Sequence, residues 1–220
     1  MFNNYYFVPL DVPKLLYNRS ALLTFFDNNK YRVDDPVSKP LDDPWNIVWL
    51  WRRGSNNFES FVETLFPNLI EIFNCLPHYY INNVALLEQV IEVKPHCDVS
   101  KENSIDLGPS SYRCMLINDE PNSTFYFKEG VRWQGNLRDT EIFPTMPCDT
   151  NFFAINNHIT MHGSHTLTKS TSRKIMLTVW GNVDITKHIA LLDKSIKKYK
   201  EYCLQCNLNQ NPQLVTTPIL

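Results

Sequence analysis

At 220 residues, with 43% hydrophobic and 20% charged side chains, the chain has globular composition and the length of one good-sized domain. Its 21 basic residues nearly balance 23 acidic ones, which argues against a broad electrostatic surface for nucleic acid. With only 6 glycines and neither GxGxxG nor GxxxxGK[ST] present, nucleotide binding through a glycine-rich phosphate loop is excluded.

The amino terminus, MFNNYYFVPLDVPKLL, lacks a basic segment followed by an apolar core, so a signal peptide is not expected. No run approaches the ~18 apolar residues of a membrane span, and a cytoplasmic protein with reduced thiols is the expectation. Residues 1–54 are rich in Pro, Asp and aromatics, with an extended piece from Trp45 to Trp51. Ser55 can cap a helix carrying Phe58, Phe61, Val62 and Leu65 at helical spacing, and Pro67 suits the first turn of another reaching Cys75. Beyond Pro77, strands are predicted at Val84–Lys94, Tyr112–Asn118, Thr124–Lys128, Phe152–Asn156 and Lys174–Trp180. A turn over Asp119–Ser123 joins the second and third as a hairpin. Asp184 starts a final helix with the stripe Ile185, Ile189, Leu192 and Ile196, and Lys197, Lys198 and Lys200 sit at its negative carboxyl end. Parallel strand–helix alternation is absent, so the expected fold is α+β with a mainly β core, an antiparallel barrel or sandwich buttressed by helices.

Three features carry chemistry. His96 and Asp98, two apart in extended chain, point the same way and can grip one ion. A second cluster, His158, His162 and His165, follows the apolar run Phe152–Ile155. Arg173 stands eleven residues after His162 and shares strand parity with Ile175, Leu177 and Val179. That parity sets a guanidinium on an apolar, inward face, where it wants an anion; a structural salt bridge with a core carboxylate would also satisfy it. Cys203-x-x-Cys206 has no second such pair or spaced His pair and is not assigned a metal.

Two histidines and a carboxylate match the facial triad of non-haem Fe(II) oxygenases. Together with Phe153–His162, Ser172–Trp180 and Tyr112–Phe127, they make the sequence resemble the 2-oxoglutarate/Fe(II)-dependent dioxygenases, particularly prolyl- or aspartyl/asparaginyl-hydroxylase-like members. The resemblance implies a single domain with a double-stranded β-helix (jelly-roll) core over 80–182. Residues 1–79 would be helical or irregular support, 183–206 a C-terminal helix and 207–220 a tail. It implies Fe(II) held by His96, Asp98 and His162, with His165 the alternative distal ligand, and His158 and His165 otherwise at the rim. His78 and His188 carry no spacing signal and read as structural. 2-Oxoglutarate would chelate the iron and set its C5 carboxylate on Arg173, with Arg113 as a second anion contact or equally a surface or ion-pair residue. Tyr112 would point to the other face. O2 would be consumed, a C–H bond hydroxylated, and succinate and CO2 released. Trp133 and Trp180 are assigned to packing.

The substrate class stays open between a protein or peptide side chain, an amino acid and another small molecule; the oligomeric state is not readable. Some prolyl 4-hydroxylases use Lys at the clamp, so Arg173 points away from that branch. The lack of a second Arg after Arg173 argues against an AlkB-like nucleic-acid demethylase. A non-catalytic jelly-roll binding module and a zinc hydrolase using the same ligands are the rivals; neither accounts for Arg173.

Overall fold

Burial alternates strictly along Trp45–Leu50, with Asn46, Val48 and Leu50 inside, as expected of a strand with one face in a core. Along Phe152–Ile155 every residue is buried, the mark of a strand covered on both sides. These two patterns define a layered molecule: helices, a large sheet, then a small sheet. In the computed structural model the described residues are 5–30, 45–52, 61–97, 111–120, 125–130, 137–156 and 160–205.

In chain order the elements are β1 (Tyr5–Pro9), α1 (Arg19–Asn29), β2 (Trp45–Arg52), α2 (Phe61–Leu65), α3 (Leu69–Cys75), β3 (His78–Gln89), β4 (Val93–His96), β5 (Ser111–Asn118), β6 (Phe125–Lys128), β7 (Glu141–Ile142), β8 (Phe152–Ile155), β9 (His162–Ser164), β10 (Lys174–Val183), α4 (Ile185–Lys198) and β11 (Leu204–Gln205). Seven strands form one sheet in the order β11-β1-β8-β5-β10-β3-β2, and four form another in the order β4-β9-β6-β7. Among the described residues all strand pairs are antiparallel. The chain is thus α+β with a mainly β core.

Two hydrophobic clusters follow from the layering. Ile175, Leu177 and Val179 of β10 pack with Leu22 and Phe26 of α1, Ile72 of α3 and Leu192 of α4. On the opposite face, Met176 joins Phe7, Phe153, Phe125 and Phe127 between the sheets. Each such fully buried aromatic side chain contributes on the order of 2 kcal/mol.

Several expectations need correcting. Residues 1–79 are not only support, because β1 and β2 are strands of the large sheet. α1 was not anticipated, although Asn18 caps it by accepting from the Ala21 amide at 3.0 Å. β5 and β6 are not a hairpin: they belong to different sheets, so the connection crosses between layers. The predicted strand Val84–Lys94 is two strands, β3 and β4, again in different sheets. On α4, Leu192 is buried and Ile196 packs partly buried against the core as expected, but Ile185 and Ile189 are exposed and His188 and Ser195 are buried in their place. Polar anchors set that rotation: Ser195 Oγ accepts from the Asp11 amide at 2.8 Å, and Tyr112 Oη lies 2.7 Å from His188 Nδ1. Ser55, Phe58, the tail and Cys206 lie outside the described residues. Among those described, no helix is long and apolar enough to cross a membrane.

His78, Tyr112 and His188 form a buried cluster under α4, with the His78 and Tyr112 rings edge-on at 5.1 Å. Burial lowers both imidazoles from 6.5 to about 4. Between those values the unfolded chain binds more protons than the native one, so stability is full above the unfolded pKa and falls as pH drops towards 4. For His188 the loss amounts to on the order of 3 kcal/mol. Urea unfolding at about pH 7.5 and pH 4.5 checks this: His188→Gln should flatten the pH dependence, and an unchanged dependence would refute the assignment.

Candidate functional site

The small sheet brings the two histidine clusters together. β4 and β9 pair antiparallel with His96 opposite His162 and Val93 opposite Ser164. The two imidazole rings sit 4.6 Å apart between centroids. His162 is buried beside Phe125 and Phe127, whereas His96 is exposed at the rim. His96 Nδ1 is 2.8 Å from the Lys94 carbonyl oxygen. A carbonyl only accepts, so Nδ1 carries the proton and the lone pair of the neutral ring lies on Nε2. A carbonyl fixing the tautomer in this way is the usual support of a metal-binding histidine.

Gly163, between His162 and Ser164, is required by close approach: a Cβ there would lie 2.7 Å from Tyr126 Oη and 2.8 Å from the Val93 carbonyl oxygen. The glycine lets β9 lie flat against β4, keeping His162 opposite His96. Two adjacent imidazoles suit a divalent transition metal. Among the described residues no cluster of three or more His, Cys, Asp or Glu side chains could hold a metal. Asp98 lies outside them, as do His158 and Trp133. His165 points elsewhere, its Nε2 2.7 Å from Glu141 Oε2 and its ring stacked on Tyr126 at 4.5 Å.

His96 and His162 open onto a cavity of about 330 Å³ between the sheets, lined also by Arg113, Ser164, Lys174, Thr178 and Trp180. Its floor is the even-numbered face of β10. Lys174 is 1% exposed; its Nζ donates to Ser164 Oγ and lies 5.3 Å from the Phe125 ring centre. Burial, with a smaller contribution from the Arg113 charge, pushes the Lys174 ammonium down to about 7. An anion placed beside it would reverse that penalty. Thr178, 2% exposed, has no hydrogen-bond partner for Oγ1 among the described residues.

Arg173 is not at this cavity. Its Nε donates to Glu88, and its Nη1 and Nη2 donate to the two Asp27 carboxylate oxygens at 3.2 and 3.0 Å. Glu88 also accepts from Asn46 Nδ2 at 3.0 Å. Arg173 does share the apolar, inward face of Ile175, Leu177 and Val179, but that face is turned to the helices and not to the cavity. Arg173 makes the salt bridge with a core carboxylate that was its other reading. The signal for Lys174 was present in Lys174-Ile-Met-Leu-Thr-Val-Trp180. One parity is wholly aliphatic, while the other mixes Lys, Met, Thr and Trp, as a ligand-facing wall does.

Arg113 does line the cavity, one strand over from Thr178 on β5. Tyr112 points to the opposite face, as expected. Trp180 lines the cavity and also packs on Trp49 at 5.9 Å, so it serves as wall and packing together.

No family model and no curated protein matches the chain. Among solved structures it is similar to the viral collagen prolyl hydroxylase of Paramecium bursaria Chlorella virus-1 in its 2OG complex. That likeness has 12% identity and a TM-score of 0.40, covering 82% of this chain and 97% of that one. It is also similar to a 2OG-Fe(II) oxygenase family oxidoreductase from Burkholderia pseudomallei, at 15% identity and TM-score 0.36, covering 72% of this chain and 76% of that one.

Proposed function

We propose that the chain is an Fe(II)- and 2-oxoglutarate-dependent dioxygenase built on a double-stranded β-helix, hydroxylating a C–H bond of a protein, peptide or amino-acid side chain. The observation that carries this reading is one cavity with a histidine pair on one wall and a buried lysine on the facing wall. His96 and His162 would hold the iron, with Asp98, two residues beyond His96, as the third ligand. The iron supplies, when bound, the activation of O2 together with the cosubstrate.

The chain's own residues would do the rest. Lys174 would take the distal carboxylate of 2-oxoglutarate, the role the sequence assigned to Arg173. Ser164 holds the Lys174 ammonium in place until the carboxylate arrives. Arg113 adds positive charge to the same wall as a second anion contact. Phe125 and Met176 would keep water from the aliphatic middle of the cosubstrate. With lysine at the clamp, the argument against a prolyl 4-hydroxylase-like branch disappears, and a prolyl or other peptide side chain is the substrate class preferred here. Succinate release from 2-oxoglutarate, screened across peptides, free amino acids and methylated oligonucleotides, tests the reading; turnover with oligonucleotides alone would contradict it.

The lysine gives the cosubstrate step a pH signature. Near pH 8 Lys174 in the empty cavity is mostly neutral, since its pKa is about 7. A bound carboxylate needs it charged, so binding draws in a proton, and affinity falls by up to about tenfold per pH unit above 7. Anaerobic calorimetry of 2-oxoglutarate binding to Mn(II)-loaded protein, in buffers of different ionisation heat, should register close to one proton taken up near pH 8 and almost none near pH 6. Equal uptake at both would contradict the role.

A further inference from the structure

Gln89 ends β3 and is 3% exposed. Its Nε2 is directed at three backbone carbonyls: Ile91 at 3.0 Å, His165 at 2.8 Å and Ser164 at 3.3 Å. Ile91 lies in the turn that leads into β4, the strand of His96. Ser164 ends β9, the strand of His162, and His165 follows it. β3 belongs to the large sheet and is paired with β10, which carries Lys174. A single amide therefore spans the seam between the sheets and holds both histidine-bearing strands to the layer of the lysine. The same Ser164 whose carbonyl it engages offers its hydroxyl to Lys174. Gln89 Oε1 is buried with no hydrogen-bond partner among the described residues, so the side chain is oriented by its NH2 group alone. An alkyl side chain of the same size would fill the space without tying the strands.

We propose that Gln89 is a positioning residue that sets the separation between the His96–His162 pair and the Lys174 ammonium, an inference that rests on the reading given above. A ligand that reaches from the metal to Lys174 feels that separation. A ligand that chelates the metal without reaching Lys174 does not. Loosening the seam should therefore penalise the long ligand selectively, which general destabilisation would not do.

The test uses Co(II)-loaded full-length protein under anaerobic conditions, with the visible Co(II) spectrum as the readout and 2-oxoglutarate and pyruvate as long and short ligands. In Gln89→Met, Co(II) affinity should stay within about threefold, 2-oxoglutarate affinity should fall about tenfold, and pyruvate affinity should stay within about twofold. Should Gln89→Met not fold, Gln89→Asn, one methylene short of the three carbonyls, should show the same selective loss. Equal loss for both ligands, or no loss for either, overturns the positioning role while leaving the functional reading intact. A wild-type protein that binds no Co(II) through His96, or that does not prefer 2-oxoglutarate to pyruvate, overturns that reading and the inference with it.

Discussion

Lys174→Met is expected to weaken 2-oxoglutarate binding by about 100-fold while leaving metal affinity within a few-fold. Methionine keeps the volume and removes the ammonium of a 1% exposed side chain beside Ser164 and Phe125. A carboxylate then enters a space with little water, keeps only the more distant positive charge of Arg113 on the cavity wall, and loses a charge-assisted hydrogen bond. Arg173→Met should behave in the opposite way. Cosubstrate affinity should hold within about twofold, while stability drops by on the order of 2 kcal/mol, because the buried Glu88 carboxylate loses its guanidinium partner and retains the Asn46 amide. Calorimetry and urea unfolding on the two variants separate the roles. Loss of cosubstrate affinity in Arg173→Met with none in Lys174→Met would return the clamp to Arg173.

Removing either histidine should weaken divalent metal binding by about 100-fold or more, since the loss of a ligand exceeds the 10- to 100-fold typical of losing a residue that merely supports one. The two variants should nonetheless differ in stability. His162 is 2% exposed against Phe125 and Phe127, so His162→Ala leaves a void in the core between the sheets and should cost on the order of 1–3 kcal/mol. His96 lies exposed at the rim, and His96→Ala should cost little. Metal titration followed by intrinsic fluorescence, together with thermal unfolding, checks both halves. Undiminished metal binding in both variants would dismiss the histidine pair.

The sequence made the histidine pair of this cavity legible because its signals are local. A His two residues from an Asp, and a His cluster just after an apolar strand, can each be seen without knowing the sheet order, and the pairing of His96 with His162 joins them. The layer that Arg173 faces was not legible because β10 is buried on both sides. Its odd-numbered face is aliphatic and its even-numbered face mixes Lys174, Met176, Thr178 and Trp180, and periodicity alone does not say which is turned to the helices. The same limit hid the sheet crossings at Val90–Glu92 and after Asn118, where turn residues mark a change of direction but not a change of layer. α4 was located correctly by its Asp184 cap, yet its buried face follows His188 and Ser195, whose partners Tyr112 and Asp11 lie 76 and 184 residues away. Gln89 left no trace in the sequence, because its three acceptors are backbone carbonyls and any residue type would supply them.

The most direct measurement of the central claim is an anaerobic titration of the protein with Fe(II) and 2-oxoglutarate, followed in the visible range. Chelation of protein-bound iron by a 2-oxo acid gives a weak absorption band, and the band should saturate at one equivalent of each, vanish in His96→Ala, and require far more 2-oxoglutarate in Lys174→Met. Absence of the band in the wild type, or a band that survives unchanged in His96→Ala, would contradict the account.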